Sequence, residues 1–350
     1  MLAATAALVL TACGGCDSDT TSTGVGDGDR VGVSLITRDS VNPYFVAMHK
    51  GAKEDAGRHG VDLTVTSGRA ADDETGQIEA IQEAIATRQD GILITPNGPA
   101  VNSAIRQARD AGLYVIALGT PPDPAETVDI TFASDTFRAG ELVGRWTAAQ
   151  LGGNKATIAV LDLFSERIAP LDDKRREGFL AGMGIDTKAG KQNGNAATSG
   201  RYRRGEYELI CDESTQDADD AGRSAMERCL AKSEDINVVY AVTEFSANGA
   251  YEALQATGKA TSPIIVSADG SCGGVELVKG GIIGAAAQQY PQKMAALGMQ
   301  AIATFVREKT EPTRSEGLDF FDTGVALVTD KPVANLASIT SAEASEVCWG

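Results

Sequence analysis

The chain has 350 residues, with 31 Lys and Arg against 48 Asp and Glu, for a formal net charge of -17. Length points to two domains or one large one, and 43% hydrophobic residues suffice for a sizeable core. The acidity argues against nucleic acid and anionic membrane surfaces as partners, and no run of about 18 apolar residues reads as a membrane-spanning helix.

Leu2 to Ala12 are small or apolar and lead into Leu10-Thr-Ala-Cys13. Small residues before a cysteine, with glycine after it, resemble a bacterial lipobox. The resemblance implies a signal peptide over 1–12, cleavage before Cys13, and lipidation of its thiol and new amino group. One departure is that no Lys or Arg precedes the apolar stretch. A frayed apolar terminus is the bland alternative. Asp17 to Asp29 is polar and rich in Thr, Gly and Asp, so 13–29 reads as a lipid-anchored flexible tether.

An apolar run, Val31 to Ile36, then leads into a helical pattern at Asn42-Pro-Tyr-Phe45. Asn42 is a good N-cap and Pro43 a good first helical residue. In a parallel α/β sheet, ligands bind outside the carboxyl ends of the strands. This junction therefore places an amide and two aromatic rings, Tyr44 and Phe45, where a small polar ligand would lie. Sugars stack their C–H faces on such rings and hydrogen-bond through their hydroxyls. A well-capped helix with two core aromatics is the competing reading.

Further strands are expected at Leu63–Ser67, Gly91–Thr95 and Tyr114–Leu118, with helices beginning near Asp73 and Pro99. Four βα units are the signature of a parallel sheet flanked by helices. A second series follows, with strands at 130–133, 157–163, 208–211, 238–243, 264–268 and 282–287 and helices between them. The segment Asp186 to Gly205, rich in Gly and Asn, reads as a surface loop. A last helix runs from Pro291 to about Arg307, followed by short strands near Phe320–Phe321 and Val325–Val328. One sheet of about ten strands would be wide. The expected fold is therefore α/β with two Rossmann-like lobes, each a parallel sheet flanked by helices, joined by three hinge crossings. The first lobe takes 30–133 plus 290–322, and the second takes 134–289 plus 323–350.

Cys16 falls in the tether. Export would place Cys211, Cys229, Cys272 and Cys348 in an oxidising space. Four cysteines allow three pairings, and buried free thiols are the alternative. The preferred pairing is Cys211–Cys229, a local loop, with Cys272–Cys348 pinning the C-terminal tail.

Asn42-Pro-Tyr-Phe, Leu93-Ile-Thr-Pro-Asn, Ala117-Leu-Gly-Thr-Pro, Val266-Ser-Ala-Asp-Gly and Ala287-Gln-Gln-Tyr-Pro occur in order on this doubled βα pattern. Together they resemble the periplasmic sugar-binding proteins of bacterial ABC importers, of the ribose and fructose type. The resemblance covers about Arg30 to Val328. It implies a ligand enclosed between two lobes, capture by hinge closure, and delivery to permease subunits. It implies no catalysis and no cofactor, and a monomer is expected. Residue by residue, it implies ligand contacts from Asn42, Tyr44 and Phe45, with Asp39 upstream, and from Asp269 and Gln289. Asp269 could instead be a turn residue, and Gln289 a helix entry. Ribose binders carry an Asp-Arg pair where this chain has Gly119-Thr120, and an Asn where it has Thr243, followed by Glu244. An arginine is expected near residues 172–176. Arg175 can supply it, although Asp173 lies closer to the family position. Fructose, another ketose or a linear polyol therefore fits better than ribose.

The competing classes are weaker. His49 and His59 both read as helix-surface residues without metal or triad spacing, and no nucleotide-binding glycine loop follows the first strand, which argues against an enzyme. A repressor built on the same core would need an N-terminal helix-turn-helix. A receptor that presents a sugar, polyol or autoinducer to a signalling partner shares the same closure. The sequence does not separate it from transport.

Overall fold

A computed structural model describes residues 30–70, 72–163, 170–187, 197–215, 219–258 and 263–350. Cys13, Cys16, the signal peptide and the tether lie outside the described residues.

The first lobe is built from β1 (Val31–Thr37), α1 (Pro43–Ala56), β2 (Val61–Ser67), α2 (Glu74–Ala86), β3 (Gly91–Ile94), α3 (Asn102–Asp110), β4 (Tyr114–Leu118) and β5 (Ile130–Ala133). The second follows with α4 (Thr136–Leu151), β6 (Ala156–Asp162), α5 (Pro170–Met183), β7 (Ser199–Arg201), β8 (Glu206–Ser214), α6 (Asp219–Lys232), β9 (Val238–Ala241), α7 (Glu244–Ala256), β10 (Ile264–Asp269), α8 (Cys272–Lys279) and β11 (Ala285–Gln288). The chain ends with α9 (Pro291–Glu308), β12 (Phe321–Asp322), β13 (Ala326–Val328) and α10 (Ser341–Ser345).

Strands β3, β4 and β5 read GILI, YVIAL and ITFA and are buried throughout. Such nearly unbroken apolar runs suit a parallel sheet covered on both faces. The first sheet has the order β12-β5-β4-β3-β1-β2, all parallel. Helices α1 and α9 cover one face through Met48, Ala52, Met294, Met299 and Ile302. The second sheet has the order β13-β11-β10-β9-β6-β8-β7. Only its edge strands β13 and β7 run antiparallel to their neighbours. The fold is thus two Rossmann-like α/β lobes. The expected surface loop at 186–205 needs correction, because Ser199–Arg201 is β7, paired with Glu206–Glu208 of β8.

The chain passes between the sheets three times. It leaves β5 for α4, leaves β11 for α9, and leaves β12 for β13. Two of these crossings lie side by side. The Thr323 N–H donates to the Ala133 carbonyl at 2.9 Å, and the Ser134 hydroxyl donates to the Gly324 carbonyl at 2.9 Å.

In each sheet the strand order reverses beside the first strand, at β1/β3 and at β6/β9. The carboxyl ends at these switch points form the crevice where such sheets bind ligands. In the first lobe the buried Gln77 side chain joins the two ends, donating to the carbonyls of Thr37 at 3.1 Å and Thr95 at 2.8 Å. In the second lobe the backbones of α4 and α5 approach closely. A Cβ on Gly140 would run into the Arg175 carbonyl, and one on Gly178 into the Phe137 carbonyl. This contact sets the height of α5, and with it Arg175, relative to the sheet. Disulfides join Cys211 to Cys229 and Cys272 to Cys348.

Candidate functional site

The first wall of the crevice is the loop between β1 and α1. Asp39 turns its carboxylate onto this loop and accepts from the N–H groups of Val41 at 2.9 Å and Asn42 at 2.7 Å. Asn42 caps α1, its Oδ1 accepting from the Tyr44 N–H at 2.9 Å, and Pro43 occupies the first turn. Both side chains thus hold the loop's own backbone. Phe45 is 8% exposed and belongs to the first-lobe core with Met48 and Leu118. Tyr44 projects further. Its ring meets Phe45 edge-on at 5.7 Å and Trp349 at 5.3 Å. Its phenol is raised above the ordinary range by burial, then by the Asp269 carboxylate across the crevice. Thr120 is half-buried in the turn after β4, its N–H donating to the Leu118 carbonyl at 2.9 Å. The preceding Gly119 has φ +75° and lies close to the Tyr44 hydroxyl, where a Cβ would sit 3.5 Å from it.

The second wall is charged. Asp269 ends β10 with φ +92°, in the left-handed region where a non-glycine residue stores strain. Its Oδ1 accepts from Arg175 at 3.2 Å and from the Gln289 side-chain amide at 2.9 Å. Arg175 is buried and also donates to the Val242 carbonyl at 2.8 Å. Beneath this cluster lies Glu244, 2% exposed, which accepts from the N–H of Gly270 at 2.9 Å and of Ser271 at 3.0 Å. Burial, and then repulsion from Asp269, pushes its carboxyl up to about 8.

The structure thus brings Tyr44, Arg175, Asp269 and Gln289 together, with Asn42 at the loop that carries Tyr44. Other expected residues have supporting tasks. Thr243 caps α7, accepting from the Ser246 N–H. Glu244 holds the Gly270–Ser271 turn. Asp173 pairs with Arg176 at 3.3 Å, and Arg176 also binds Asp162 at 2.9 Å. Residues two apart on a helix face opposite ways, so Arg175 rather than Asp173 reaches Asp269. Of the histidines, His49 bonds the Thr37 hydroxyl at 2.7 Å, and His59 pairs with Asp55 at 3.1 Å.

Two residues at the crevice lie outside the sequence expectations. Arg38 directly follows β1, and its Nε donates to the Pro96 carbonyl at 3.1 Å. Burial lowers its guanidinium, and Asp39 and the Tyr44 phenol counter this. A cation directly after a first strand was the available signal. Trp349, 3% exposed, comes from the far end of the chain and carried no local signal. A surface cavity lined by Arg106, Arg109 and Tyr114 lies at the amino ends of β4 and β5, away from the switch point. Among the described residues no group of three or more His, Cys, Asp or Glu side chains is arranged to hold a metal ion.

Several known proteins are similar to this chain in sequence or in fold. The ribose import binding protein RbsB of Salmonella typhimurium is 26% identical over 77% of this chain and 82% of its own length. The D-ribose/D-allose-binding protein of Pseudomonas aeruginosa is 24% identical over 85% of this chain and 88% of its own. Among solved structures, a solute-binding protein of an ABC transporter from Actinobacillus succinogenes with bound D-allose superposes with a TM-score of 0.73 at 21% identity. That match covers 85% of this chain and 97% of the other. One from Bacillus halodurans with bound myo-inositol gives 0.71 at 19% identity, covering 87% and 96%. Residues 32–310 match the periplasmic binding protein domain, so the chain belongs to that family of solute-binding proteins and is not an enzyme.

Proposed function

We propose that this protein captures a monosaccharide or polyol between its lobes by hinge closure and delivers it to an ABC importer. Asp269 carries the reading. It is a carboxylate at a switch-point strand end, aimed by Arg175 and Gln289 and facing an aromatic ring across the crevice. A carboxylate accepts from two vicinal hydroxyls, and its neighbours supply donors to the ring oxygen and remaining hydroxyls. The sugars in the names of its relatives support the same class. Asn42, Tyr44, Phe45, Thr120, Arg175, Thr243, Glu244, Asp269 and Gln289 form the contact or supporting set, with Arg38 added. Gly119-Thr120 replaces the charged pair of ribose binders, which favours fructose, another ketose or a linear polyol.

The two lobes are 30–133 plus 290–322 and 134–289 plus 323–350, closing about the three crossings. The protein works outside the cytoplasmic membrane as a monomer, held by a lipid on Cys13 through the 13–29 tether. Mass spectrometry of protein from its native host tests the anchor, and an unmodified N-terminus upstream of Cys13 rules it out. A thermal-shift screen over pentoses, hexoses, ketoses and polyols tests the function. A ligand at about a hundred times its Kd adds roughly 2.7 kcal/mol to native stability. No stabilisation by any member of the panel refutes the sugar reading.

A further inference from the structure

The last residues of the chain return to the crevice. Cys348 is bonded to Cys272, the first residue of α8. The Cys272 N–H donates to the Trp349 carbonyl at 2.8 Å, and Trp349 bridges to Ser271 as a parallel pair. The Trp349 indole N–H donates to the Gln289 carbonyl at 3.0 Å. Its ring then crosses to the first lobe and meets Tyr44 edge-on, 5.3 Å between centroids and 82° between planes. Gly350 lies against Pro43 at the start of α1.

Trp349 is 3% exposed, yet it belongs to none of the four hydrophobic clusters that form the lobe cores. Its partners are Gln289, whose side chain holds Asp269, and Tyr44, the ring facing Asp269. A helix of five residues, Ser341–Ser345, is too short to hold this tail in register by itself. The disulfide supplies the anchor one residue before the indole.

We propose that Trp349 is a positioning residue of the ligand cleft. It sets Gln289 through its N–H and Tyr44 through its ring edge. The Cys272–Cys348 disulfide holds it there, so ligand affinity depends on that bond. This rests on the sugar reading above. An aromatic pair and a hydrogen bond act together here, and their loss corresponds to about a tenfold change in affinity.

The test is calorimetry with the sugar that most stabilises the native protein in the thermal panel. Trp349→Ala is expected to bind it about tenfold more weakly at a temperature where the unliganded variant is still folded, its melting curve being recorded beside the native one. Trp349→Phe keeps the ring edge and loses the N–H, so its loss is smaller. The paired change Cys272→Ser with Cys348→Ser, which leaves Trp349 in place, weakens binding in the same direction. A ligand-dependent change in tryptophan emission is expected of the native protein and is expected to disappear in Trp349→Phe, which retains only Trp146 in the second-lobe core. Native affinity in Trp349→Ala overturns the proposal. Tighter binding does so too, because the tail would then compete with the ligand. If Trp349→Ala fails to fold, native affinity in both Trp349→Phe and the paired cysteine variant overturns it. A native protein that binds no sugar is a different result, and it refutes the sugar reading itself.

Discussion

In the first wall of the crevice Asp39 and Asn42 bond to backbone two or three residues away. In the second, Asp269 is held by Arg175 from 94 residues away and by Gln289 from 20 away. The first wall is a self-capped turn whose shape one short stretch of sequence dictates. The second is a charge cluster that exists only once α5, β10 and the second crossing are in place. A local turn tolerates the loss of one bond, whereas a buried network left half-satisfied exposes its remaining charge to a poor environment.

The largest combined losses of stability and affinity should therefore fall on the second wall. Arg175→Ala leaves Asp269 without its buried cation and is expected to cost about 3–5 kcal/mol of stability, read from denaturant unfolding. Asp269→Ala removes the charged acceptor. Such hydrogen bonds are worth roughly 1.5–3 kcal/mol each, so sugar affinity should fall about tenfold to more than a hundredfold. Unchanged affinity would move the site off β10.

Next in size is a contrast within the first wall. Phe45 is a core ring, and Phe45→Ala is expected to cost about 3–5 kcal/mol of stability. Tyr44→Ala should cost less stability and more affinity. Melting curves beside calorimetry separate the two, and equal losses of stability would erase the distinction drawn between the rings.

A pH series sharpens the comparison further. Glu244 is raised from an ordinary 4.5 to about 8 by burial and Asp269. A carboxyl raised on folding stabilises most below its unfolded value, and that contribution is lost as pH climbs through the folded one. Stability should thus decline between about pH 5 and 8, and Glu244→Gln should flatten the slope. A native slope retained in the variant would place the titration elsewhere. The smallest effect is expected from Asn42→Ala, a lost N-cap worth about 1 kcal/mol, visible as a modest fall in melting temperature.

The same contrast governs what the sequence reveals. Strands β3, β4 and β9 are continuous apolar runs, and Asn42-Pro43 is a cap readable from two letters. Ser199–Arg201 carries no hydrophobic period and becomes a strand only by pairing with β8. The choice between Asp173 and Arg175 turns on helix phase about a long axis, which the close contact of α4 with α5 fixes. The tail was legible in part. Thr340 and Glu343 have capping-box spacing, and both bonds of that box form. The Cys272–Cys348 pairing that pins the tail is the one the sequence favours, whereas the contact of Trp349 with Tyr44 is tertiary and has no local signature.

The three crossings also order events in time. The first sheet has five of its strands by Ala133, but α9, which supplies Met294, Met299 and Ile302 to its core, begins only at Pro291. One face of that sheet is covered by α1 alone while the whole series from α4 to β11 is being made. A chain growing from its amino end therefore cannot finish its first lobe before its second has been synthesised. Native packing of the first lobe is therefore a late event, whatever the order in which its strands pair.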